Sequence, residues 1–214
     1  MNIRLTQKNS YHHDDLKSEL IAKGLKLLDE EGYEGFSLRK VAKACHVSHT
    51  APYRHYKNKD DLIMAIAFET MDKFNRSLQE AVDQYPDDPK SQLKEMGCAY
   101  IKFFAENPEY FRLIFLSDIN KKINHYQANP DQGHYFTDQY SSGHPFGTLY
   151  RAVERYLGER QSAGNCTMDQ DALTLYCWGL VHGISILIAR KEFSYQGDYL
   201  ALTRRILWNH EFLD

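Results

Sequence analysis

The densest group of side chains that could do chemistry lies between residues 47 and 59, which read VSHTAPYRHYKNK. Imidazole, hydroxyl and guanidinium groups follow one another there, and such groups donate or accept hydrogen bonds at base edges. Lys and Arg in the same stretch suit phosphate, which accounts for most protein contacts to DNA. The residue types therefore indicate contact with a DNA duplex, provided that a helix presents them together.

Two short helices around a tight turn are predicted to position these side chains. Ser37 is a suitable N-cap for a first helix, whose apolar residues recur at helical spacing. The pattern breaks at residues 46 to 48, and Ser48 can cap a second helix. Asn58 then begins a third, long helix, with Asp61 three residues later in a capping-box arrangement. The second helix is the predicted reading element, because an α-helix fits the major groove of B-DNA.

Residues 47 to 59 resemble the DNA-binding domain of the tetracycline-repressor (TetR) family of bacterial transcription regulators, through the pattern V-S-x-x-x-x-Y-x-H-Y-x-x-K. The likeness extends upstream through F-S-L-R-x-V-A at residues 36 to 42, and through a helix at about residues 14 to 31 that Gly32 closes. His46 departs from the family pattern, since relatives usually carry Gly there. A left-handed backbone is common at such a position, and His tolerates it with a small strain, so we expect the same fold.

The resemblance and the outward positions of the second helix together give a set of DNA-contacting residues. Base readers are expected at His49, Thr50 and Ala51, because imidazole, hydroxyl and methyl groups match purine N7, polar base edges and the thymine methyl. By resemblance, Arg39 is a further candidate for a base contact. The remaining residues are expected to grip phosphates and to set the register of the protein on DNA. They are Ser37, Ser48, Tyr53, Arg54, His55 and Lys59.

Several of these residues have an alternative structural interpretation. Tyr53 and Tyr56 could be core aromatics of a three-helix unit, which suits Tyr56 better than Tyr53. His55 could be a hydrogen-bonded structural histidine, and Lys59 could be a solvated charge. A cation at a helix start opposes the helix dipole unless an anion compensates it, and a nearby DNA phosphate would supply that anion.

Charge is unevenly distributed along the chain. Up to Asp60 there are 11 Lys and Arg against 8 Asp and Glu, a net charge of +3, and the remainder has 15 against 21, a net charge of −6. A basic N-terminal segment suits a polyanion, whereas an acidic remainder suits a body that does not touch phosphate. The sequence therefore predicts that the N-terminal segment binds DNA.

The chain has 214 residues, 43% of them hydrophobic, which is enough to bury a core in one large or two modest domains. Hydrophobic periodicity, caps and breakers predict an all-α fold. We expect a three-helix helix-turn-helix domain at residues 1–60 and a helical effector-binding and dimerisation domain at residues 61–214. Further helices are predicted at about 59–84, 89–106, 146–161, 169–191 and 197–211, with a short one from Asn107-Pro108. Residues 117–146 lack periodicity and are predicted to form a flexible loop.

The helix predicted at residues 169–191 is apolar nearly all round, which indicates burial on several sides and partly by another chain. A homodimer through the last two helices is therefore expected. The W-x-x-x-H-G pattern at Trp178, His182 and Gly183 looks like the signature of one TetR subgroup, the WHG-type regulatory domain. The start Y-H-H at residues 11 to 13 recurs in that subgroup.

An aromatic set in the second domain could be plain core or could line a pocket. The family resemblance implies a pocket for a small, mostly apolar effector, and for the set as a whole we favour that interpretation. Ligand contacts are expected from Tyr100, Phe104, Phe111, Phe115, Tyr150, Trp178 and His182. His182 could give the ligand one hydrogen bond, or could equally bond a Tyr hydroxyl or a backbone group inside the core.

Metal and enzyme sites are not indicated. The four cysteines lack C-x-x-C spacing, and the loop histidines His125, His134 and His144 lack regular ligand spacing, so we expect no metal and no cofactor. Nucleophile-elbow, P-loop and zinc-protease motifs are also lacking, so we expect no enzyme. Cys45 could be a redox switch, but its place on the buried face of its helix favours an inert thiol.

The sequence as a whole predicts a homodimeric, ligand-responsive transcription regulator that represses a palindromic operator. We find no apolar run of transmembrane length and no hydrophobic signal core, and expect a cytoplasmic protein that does not enter a membrane. The alternatives are a helical small-molecule-binding or catalytic protein with a vestigial turn motif, and a DNA binder without sequence preference. The basic N-terminal segment argues against the first alternative. The expected base readers His49 and Thr50 are uncharged, which argues against the second, because binding to phosphate alone would favour Lys and Arg there.

Overall fold

The computed structural model describes the backbone of residues 8–116, 143–162 and 169–209, with side chains for 16–116, 143–160 and 169–209. Within these ranges every regular element is helical and no strand occurs. The predicted all-α class is therefore confirmed for the described part of the chain. Most of the loop predicted at residues 117–146 lies outside the described residues.

Eight α-helices occur in the described ranges. The first four are α1 (Lys8–Gly35), α2 (Leu38–Ala44), α3 (Lys59–Asp83) and α4 (Pro89–Glu106). The others are α5 (Pro108–Phe111), α6 (Pro145–Ser162), α7 (Gln170–Ala189) and α8 (Tyr199–Asn209). A short 3-10 helix, Pro52–Arg54, separates α2 from α3, and a π-helical turn, Arg112–Leu116, follows α5. Each helix predicted from the sequence is found, except the one between α2 and α3.

The chain divides into two compact units. The first contains the described residues up to Glu69 together with the segment that begins at Leu113. The second contains Thr70–Arg112 with α6, α7 and α8. The division falls inside the continuous helix α3, whereas the sequence pattern placed the domain boundary at residue 60, near the start of that helix.

The first unit has a core formed by the apolar faces of α1, α2 and the first half of α3. Leu20 of α1, Val41 of α2 and Leu62 of α3 are fully buried, and each such side chain contributes about 1.5–3 kcal/mol relative to an exposed one. Helices α1 and α3 approach closely at Gly24, where a Cβ would lie 2.9 Å from Cδ1 of Ile66. This core holds α2 in place and so fixes the turn that follows it.

Gly32 interrupts α1 near its C-terminal end. Its backbone has φ 68 and ψ −178, a conformation that is essentially restricted to glycine. The prediction that Gly32 closes the first helix is confirmed, although one more turn follows, in which the N–H of Phe36 donates to Gly32 O at 3.1 Å. Ser37 then caps α2 as predicted, since its side chain accepts from the N–H of Lys40 at 3.3 Å.

A Schellman motif ends helix α2. The N–H of Val47 donates to Ala42 O at 3.0 Å, and the N–H of His46 donates to Lys43 O at 3.1 Å. This motif requires a left-handed residue, and His46 occupies the position with φ 55. The left-handed backbone expected at His46 is thus confirmed, at a cost of about 1–2 kcal/mol for a residue other than glycine. The motif ends α2 directly before residues 48–55, which form the reading segment.

The prediction of an α-helix capped by Ser48 was wrong. The N–H groups of Ala51, Arg54 and His55 donate to the carbonyls three residues earlier, at 3.0, 3.2 and 2.9 Å. That is the hydrogen-bond pattern of a 3-10 helix, and no side chain caps it. Pro52 explains the difference, because it lacks an N–H and cannot make the bond four residues back, to Ser48, that an α-helix requires.

Asn58 caps α3 as predicted. Its Oδ1 accepts from the N–H of Asp61 at 2.9 Å. The Asp61 carboxylate in turn accepts from the N–H of Lys57 at 3.0 Å, one residue further back than in the standard capping box. Helix α3 continues for 25 residues and carries the chain from the first unit into the second.

Helix α4 lies at the centre of the second unit, where it packs against α6, α7 and α8. Its Ile101 and Phe104 are fully buried. Gly97 lets two helices approach α4 closely, because a Cβ there would lie 3.0 Å from Leu207 of α8 and 3.4 Å from Val181 of α7. The packing of the second unit is therefore organised around α4.

We expect Gly32→Ala to lower the free energy of unfolding by about 1–3 kcal/mol, because the backbone conformation of this position strains any other residue. Apart from its chain neighbours and the backbone of its own helix, no described atom lies within 4 Å of the new Cβ. The destabilisation would therefore come from the backbone conformation and not from a clash.

Gly158→Ala is the matched control for this substitution. Its Cβ also meets open space, but the residue lies inside α6, so the variant should gain up to about 1 kcal/mol of stability. Urea denaturation followed by circular dichroism measures both variants. A Gly32→Ala variant as stable as the unmodified protein would contradict the assigned backbone conformation.

Candidate nucleic-acid interface and aromatic core

The 3-10 helix Pro52–Arg54 divides the predicted reading residues between an inner and an outer side. Its three residues span one turn, so their side chains point in three different directions. Pro52 is buried, whereas Tyr53 and Arg54 are exposed. Thr50, in the turn before this helix, is exposed as well. Tyr53 and Arg54, together with Thr50, therefore form an outer face.

The other predicted DNA-contacting residues surround this face with different degrees of exposure. His49 and Arg39 are exposed, whereas His55 is half-buried. The hydroxyls of Ser48 and Thr50 lie 3.1 Å apart, so each restricts the orientation of the other. The side chain of Ser37 is already engaged as the N-cap of α2, as described above.

Tyr53 and Tyr56 differ sharply in exposure. Tyr53 is 53% exposed and Tyr56 is 6% exposed, so the core interpretation fits Tyr56 and not Tyr53. Burial, and secondarily the Glu69 carboxylate, raises the pKa of Tyr56 to about 12. Tyr56 therefore attaches the reading segment to the core of the first unit, whereas Tyr53 lies exposed on the outer face of that segment.

Lys59 at the start of α3 is held by the end of α1. Its Nζ donates to the carbonyl oxygen of Tyr33 at 3.1 Å and lies 3.9 Å from the centre of the Tyr33 ring. The Tyr33 hydroxyl donates to Oδ1 of Asp60 at 2.8 Å. Tyr33 was not predicted from the sequence. The available signal was its position directly after Gly32, because carbonyls at a helix end attract cations.

Six of the seven predicted ligand-contacting residues lie in the second unit, and Phe115 lies in the segment that groups with the first. Tyr100, Phe104 and Phe111 are buried, with ring centres 5.1 Å apart for Tyr100 and Phe104 and 5.2 Å apart for Phe104 and Phe111. Phe74 packs 4.7 Å from Phe104 and is a further member that was not predicted. These residues form the aromatic core of the second unit.

His182 extends the aromatic core along α7. Its Nδ1 lies 2.9 Å from the Tyr100 hydroxyl, and its ring lies 5.2 Å from that of Phe111. Of the two alternatives for His182, the structure therefore contains the hydrogen bond to a tyrosine hydroxyl. Burial lowers the pKa of His182 and raises that of Tyr100, so this pair is uncharged at neutral pH.

Trp178 and Tyr150 lie at the edge of the aromatic core, next to Phe146. The Phe146 ring is 5.4 Å from Trp178 and 6.1 Å from Tyr150. Trp178 is 36% exposed, and the Tyr150 hydroxyl donates to Asp171 at 3.3 Å. Exposed aromatic surface is thus found at this edge, whereas the interior rings are packed against one another.

A groove of about 540 Å³ lies along another face of α4, between α3 and α8. Its walls include Glu80, Glu95, Lys102 and Arg204, and the guanidinium of Arg204 lies 2.9 Å from the Glu95 carboxylate. None of the seven predicted ligand-contacting residues lines it. The groove was not predicted, because its walls come from distant parts of the chain.

Helix α7 carries an exposed apolar face. Leu175, Tyr176 and Leu187 are 70%, 41% and 44% exposed, and the exposed glycines Gly179 and Gly183 lie between them along the chain. Residues three and four positions apart share one side of a helix, so these five residues form a continuous stripe. A stripe of large apolar side chains on a surface indicates an interaction site.

By length and composition alone, α7 could also cross a membrane, since 18 consecutive residues of this 20-residue helix reach a mean hydropathy of 1.7. The expectation that no apolar run reaches that length was therefore wrong for this helix. Its other side packs against α4 and α6 and buries the hydroxyls of Thr174 and Ser185. The core helix of a soluble protein passes the same test, so one such helix is weak evidence for a membrane span.

Cys45 is 5% exposed. Burial, and secondarily the Glu19 carboxylate, raises its pKa, and a thiol that stays protonated is a poor nucleophile. The geometry thus favours the inert interpretation. Among the described residues no group of three His, Cys, Asp or Glu is placed to hold a metal ion, while His125 and His134 lie outside the described residues.

A helix-turn-helix unit with an outward reading segment, continued by a long helix into an all-helical body, defines the class of helix-turn-helix regulators. Residues 20–66 match the family model described as bacterial regulatory proteins, tetR family. Residues 93–208, more than half of the chain, match the model described as tetracyclin repressor-like, C-terminal domain. The chain belongs to the tetracycline-repressor family, whose members are transcriptional regulators and not enzymes. The resemblance inferred from the turn motif is thus confirmed.

Individual relatives are distant. A curated HTH-type transcriptional regulator of Staphylococcus aureus is 28% identical over 104 residues, which is 48% of this chain and 54% of the relative. The chain thus spans about half the length of the curated relatives it matches. A protein of unknown function from Rhodococcus sp. RHA1 has a TM-score of 0.66 at 23% identity, covering 94% of this chain and 98% of that one.

A second solved structure is the transcriptional regulator FadR from Bacillus subtilis in complex with stearoyl-CoA. It has a TM-score of 0.66 at 17% identity, covering 89% of this chain and 95% of FadR. At such identities both solved structures show a shared fold and nothing more specific.

We expect His182 to make stability depend on pH in mildly acidic solution. Burial lowers its pKa in the folded state, so the unfolded chain binds the proton more tightly. Above about pH 6.5, the usual histidine value, both states are neutral and His182 contributes no pH dependence. As the pH falls through that value, the unfolded state is protonated first and the free energy of unfolding decreases.

The measurement is urea denaturation at about pH 7.5 and about pH 5.5, for the unmodified protein and His182→Asn. The unmodified protein should lose more stability between the two pH values than the variant, because Asn does not titrate. Equal losses would show that His182 is as accessible to protons in the folded state as in the unfolded chain.

Proposed function

We propose that this protein binds operator DNA as a homodimer, represses transcription there, and is released by a small, mostly apolar effector. The observation that carries the proposal is the outer face formed by Thr50, Tyr53 and Arg54, all of them exposed, at the basic end of the chain. A helix-turn-helix places such an element in the major groove. A location in the cytoplasm, without entry into a membrane, suits this function.

Base contacts are proposed for the readers named from the sequence. His49 and Thr50 are exposed and have the donors and acceptors that base edges match. Ala51 offers a methyl group at the margin of the same face, and Arg39 on α2 carries the bidentate group that suits guanine. Phosphate contacts are proposed for Tyr53, Arg54, His55 and Lys59, together with Ser37 and Ser48 near the helix starts.

The proposed dimer uses α7 and α8. The apolar stripe on α7, from Leu175 to Leu187, supports it, because a second copy would remove those side chains from water. A twofold axis then places two reading segments about 34–36 Å apart, one turn of DNA, so that they meet successive major-groove faces of a palindrome.

The proposed effector is mostly apolar, and the part of it that enters the aromatic core is uncharged. The buried polar residues of the described structure are five threonines and serines and one glutamine, and no charged residue is among them. Such an interior disfavours a ligand charge, whereas its aromatic rings suit an apolar body. One structural neighbour, FadR, was solved with stearoyl-CoA, which joins a long apolar acyl chain to a charged coenzyme A group, so it supports an apolar body and not an uncharged whole.

For an effector bound in the second unit to release DNA, a conformational change must be transmitted from the second unit to the first. The described chain passes between the units inside α3, at Glu69 and Thr70, and again at Arg112 and Leu113 in the π-helical turn. Only the first passage was predicted from the sequence. An effector that binds better to a conformation unsuited to DNA shifts the population away from the operator, and operator DNA must then weaken effector binding by the same factor.

Selection of bound duplexes from a random pool at about 0.15 M salt tests the proposal, since purely electrostatic binding is weakened there. We expect an inverted repeat whose half-sites lie about one helical turn apart.

Thr50→Ala should then change the preference at one base pair of each half-site, by about 1–3 kcal/mol, which is the usual discrimination that one well-formed base interaction provides.

Two results would count against the proposal, the first against operator reading as a whole and the second against Thr50 as a base reader. Failure to enrich any sequence, with the protein folded and dimeric, would favour a non-specific DNA binder or a helical ligand-binding protein. An equal decrease in the affinity of Thr50→Ala for all selected duplexes would remove Thr50 from the base readers. Tyr53→Phe is the comparison variant, because removing a phosphate interaction weakens binding to all sequences alike.

Leu175→Lys tests the proposed dimer interface, because it replaces the most exposed side chain of the apolar stripe, 70% exposed, by a charge. We expect sedimentation velocity to show a shift from dimer to monomer at micromolar concentration. Glu154→Lys, at an exposed position of α6, changes charge outside the stripe and should leave the dimer intact. A dimer that tolerates Leu175→Lys would place the interface elsewhere.

A further inference from the structure

We infer that Tyr33 is a positioning residue for DNA binding, which acts by holding the ammonium of Lys59 where it meets a phosphate. The inference rests on the proposed function, specifically on the phosphate contact of Lys59. Nothing in the sequence pattern of the reading segment includes Tyr33, which lies 26 residues earlier in the chain.

Two different parts of Tyr33 hold the same cation. The backbone carbonyl accepts a hydrogen bond from Lys59 Nζ at 3.1 Å, and the ring face lies 3.9 Å from that nitrogen. The ring quadrupole and the carbonyl dipole both attract positive charge. The ammonium has three N–H groups, so the bond to Tyr33 leaves others to donate to a phosphate oxygen.

The end of α1 explains why a carbonyl is available for this purpose. Helix α1 ends at Gly35, so Tyr33 lies in its last turn, and carbonyls at a helix C-terminus lack partners within the helix. They also form the negative end of the helix dipole. Lys59 therefore stabilises the end of α1, although it stands at the start of α3, where a cation alone is unfavourable.

The Tyr33 hydroxyl has a separate task. It donates to Oδ1 of Asp60 at 2.8 Å, and Asp60 is the residue next to Lys59 in the first turn of α3. This bond fixes the direction of a carboxylate that would repel an approaching phosphate. The ring and carbonyl thus act on the cation, and the hydroxyl acts on the neighbouring anion, which lets substitutions separate the two.

The expected effect follows from side-chain entropy. A lysine loses much rotamer freedom when its end group is fixed, and a binding site that fixes it in advance avoids that loss on association. Without the ring, Lys59 still reaches a phosphate but must be ordered by the DNA itself. We therefore expect weaker binding with an unchanged dependence on salt.

The test uses the full-length protein and a fluorescein-labelled mixed-sequence duplex, with fluorescence anisotropy measured over a range of salt concentrations. Lys59→Ala should reduce affinity and lower the slope of log K against log salt by about one unit per DNA-bound subunit. Tyr33→Leu should weaken binding about threefold to tenfold at every salt concentration without changing the slope. Tyr33→Phe, which keeps the ring and carbonyl, should stay within about threefold of the unmodified protein.

The double variant Tyr33→Leu/Lys59→Ala separates positioning from a general structural role. If the Tyr33 ring acts through Lys59, the double variant should bind more weakly than Lys59→Ala by no more than the loss that Tyr33→Phe shows, since Tyr33→Leu also removes the hydroxyl. Independent, multiplying decreases in affinity would overturn the inference, and so would a Tyr33→Phe variant as weak as Tyr33→Leu. Circular dichroism confirms folding, and Tyr33→Met replaces the Leu variant if that one does not fold.

The result for Lys59→Ala alone shows whether the phosphate contact of Lys59 fails or only the positioning role of Tyr33. An unchanged affinity and slope would remove Lys59 from the phosphate contacts, and the inference about Tyr33 would fail with that part of the proposed function. A weakened Lys59→Ala combined with an unaffected Tyr33→Leu would leave the phosphate contact in place and overturn the positioning role only.

Discussion

The reading segment depends on one missing hydrogen-bond donor. Pro52 has no N–H, so the α-helical bond from position 52 to Ser48 cannot form, and the N–H groups of Ala51, Arg54 and His55 instead donate to carbonyls three residues earlier. Pro52 is also buried, which attaches the inner side of the segment to the core of the first unit. The same residue therefore sets the local geometry and decides which side chains point outward.

Helix ends organise the rest of the first unit. A Schellman motif at His46 ends α2, Asn58 starts α3, and Gly32 interrupts α1 where Tyr33 can receive the cation of Lys59. In each case a group that the helix leaves unpaired finds a partner outside it. The turns before and after the reading segment are therefore fixed by backbone hydrogen bonds, and the outer face is left to side chains that the fold does not need.

The second unit follows a different principle, in which one helix is surrounded by others. Helix α4 contacts α6, α7 and α8, and Gly97 allows two of these to approach it closely. The aromatic rings around Phe104 fill the space on one of its faces. A ligand that entered between those rings would have to move helices that all rest on α4, since well-packed interiors transmit displacement and do not absorb it.

Features encoded within a few residues of sequence were predictable, and those that depend on distant residues were not. Ser37, Asn58 and the left-handed His46 could be recognised because caps depend on a handful of neighbours. The effect of Pro52 was not predicted, because a proline near the start of a helix is tolerated wherever its missing N–H would have had no partner. Two features join residues that are far apart in sequence, so no local sequence pattern predicts them. They are the contact of Tyr33 with Lys59 and the groove between α3, α4 and α8.

The 3-10 geometry also changes the shape of the footprint that the reading segment would leave on DNA. A 3-10 helix has three residues per turn, so Tyr53 and Arg54 each point about 120° away from the buried Pro52 and lie symmetrically about the outward direction. In an α-helix, with 3.6 residues per turn, they would point about 100° and about 160° away from it. In the proposed complex the two side chains would therefore meet DNA on either side of one line, whereas an α-helix would turn Arg54 almost directly toward the groove and Tyr53 aside.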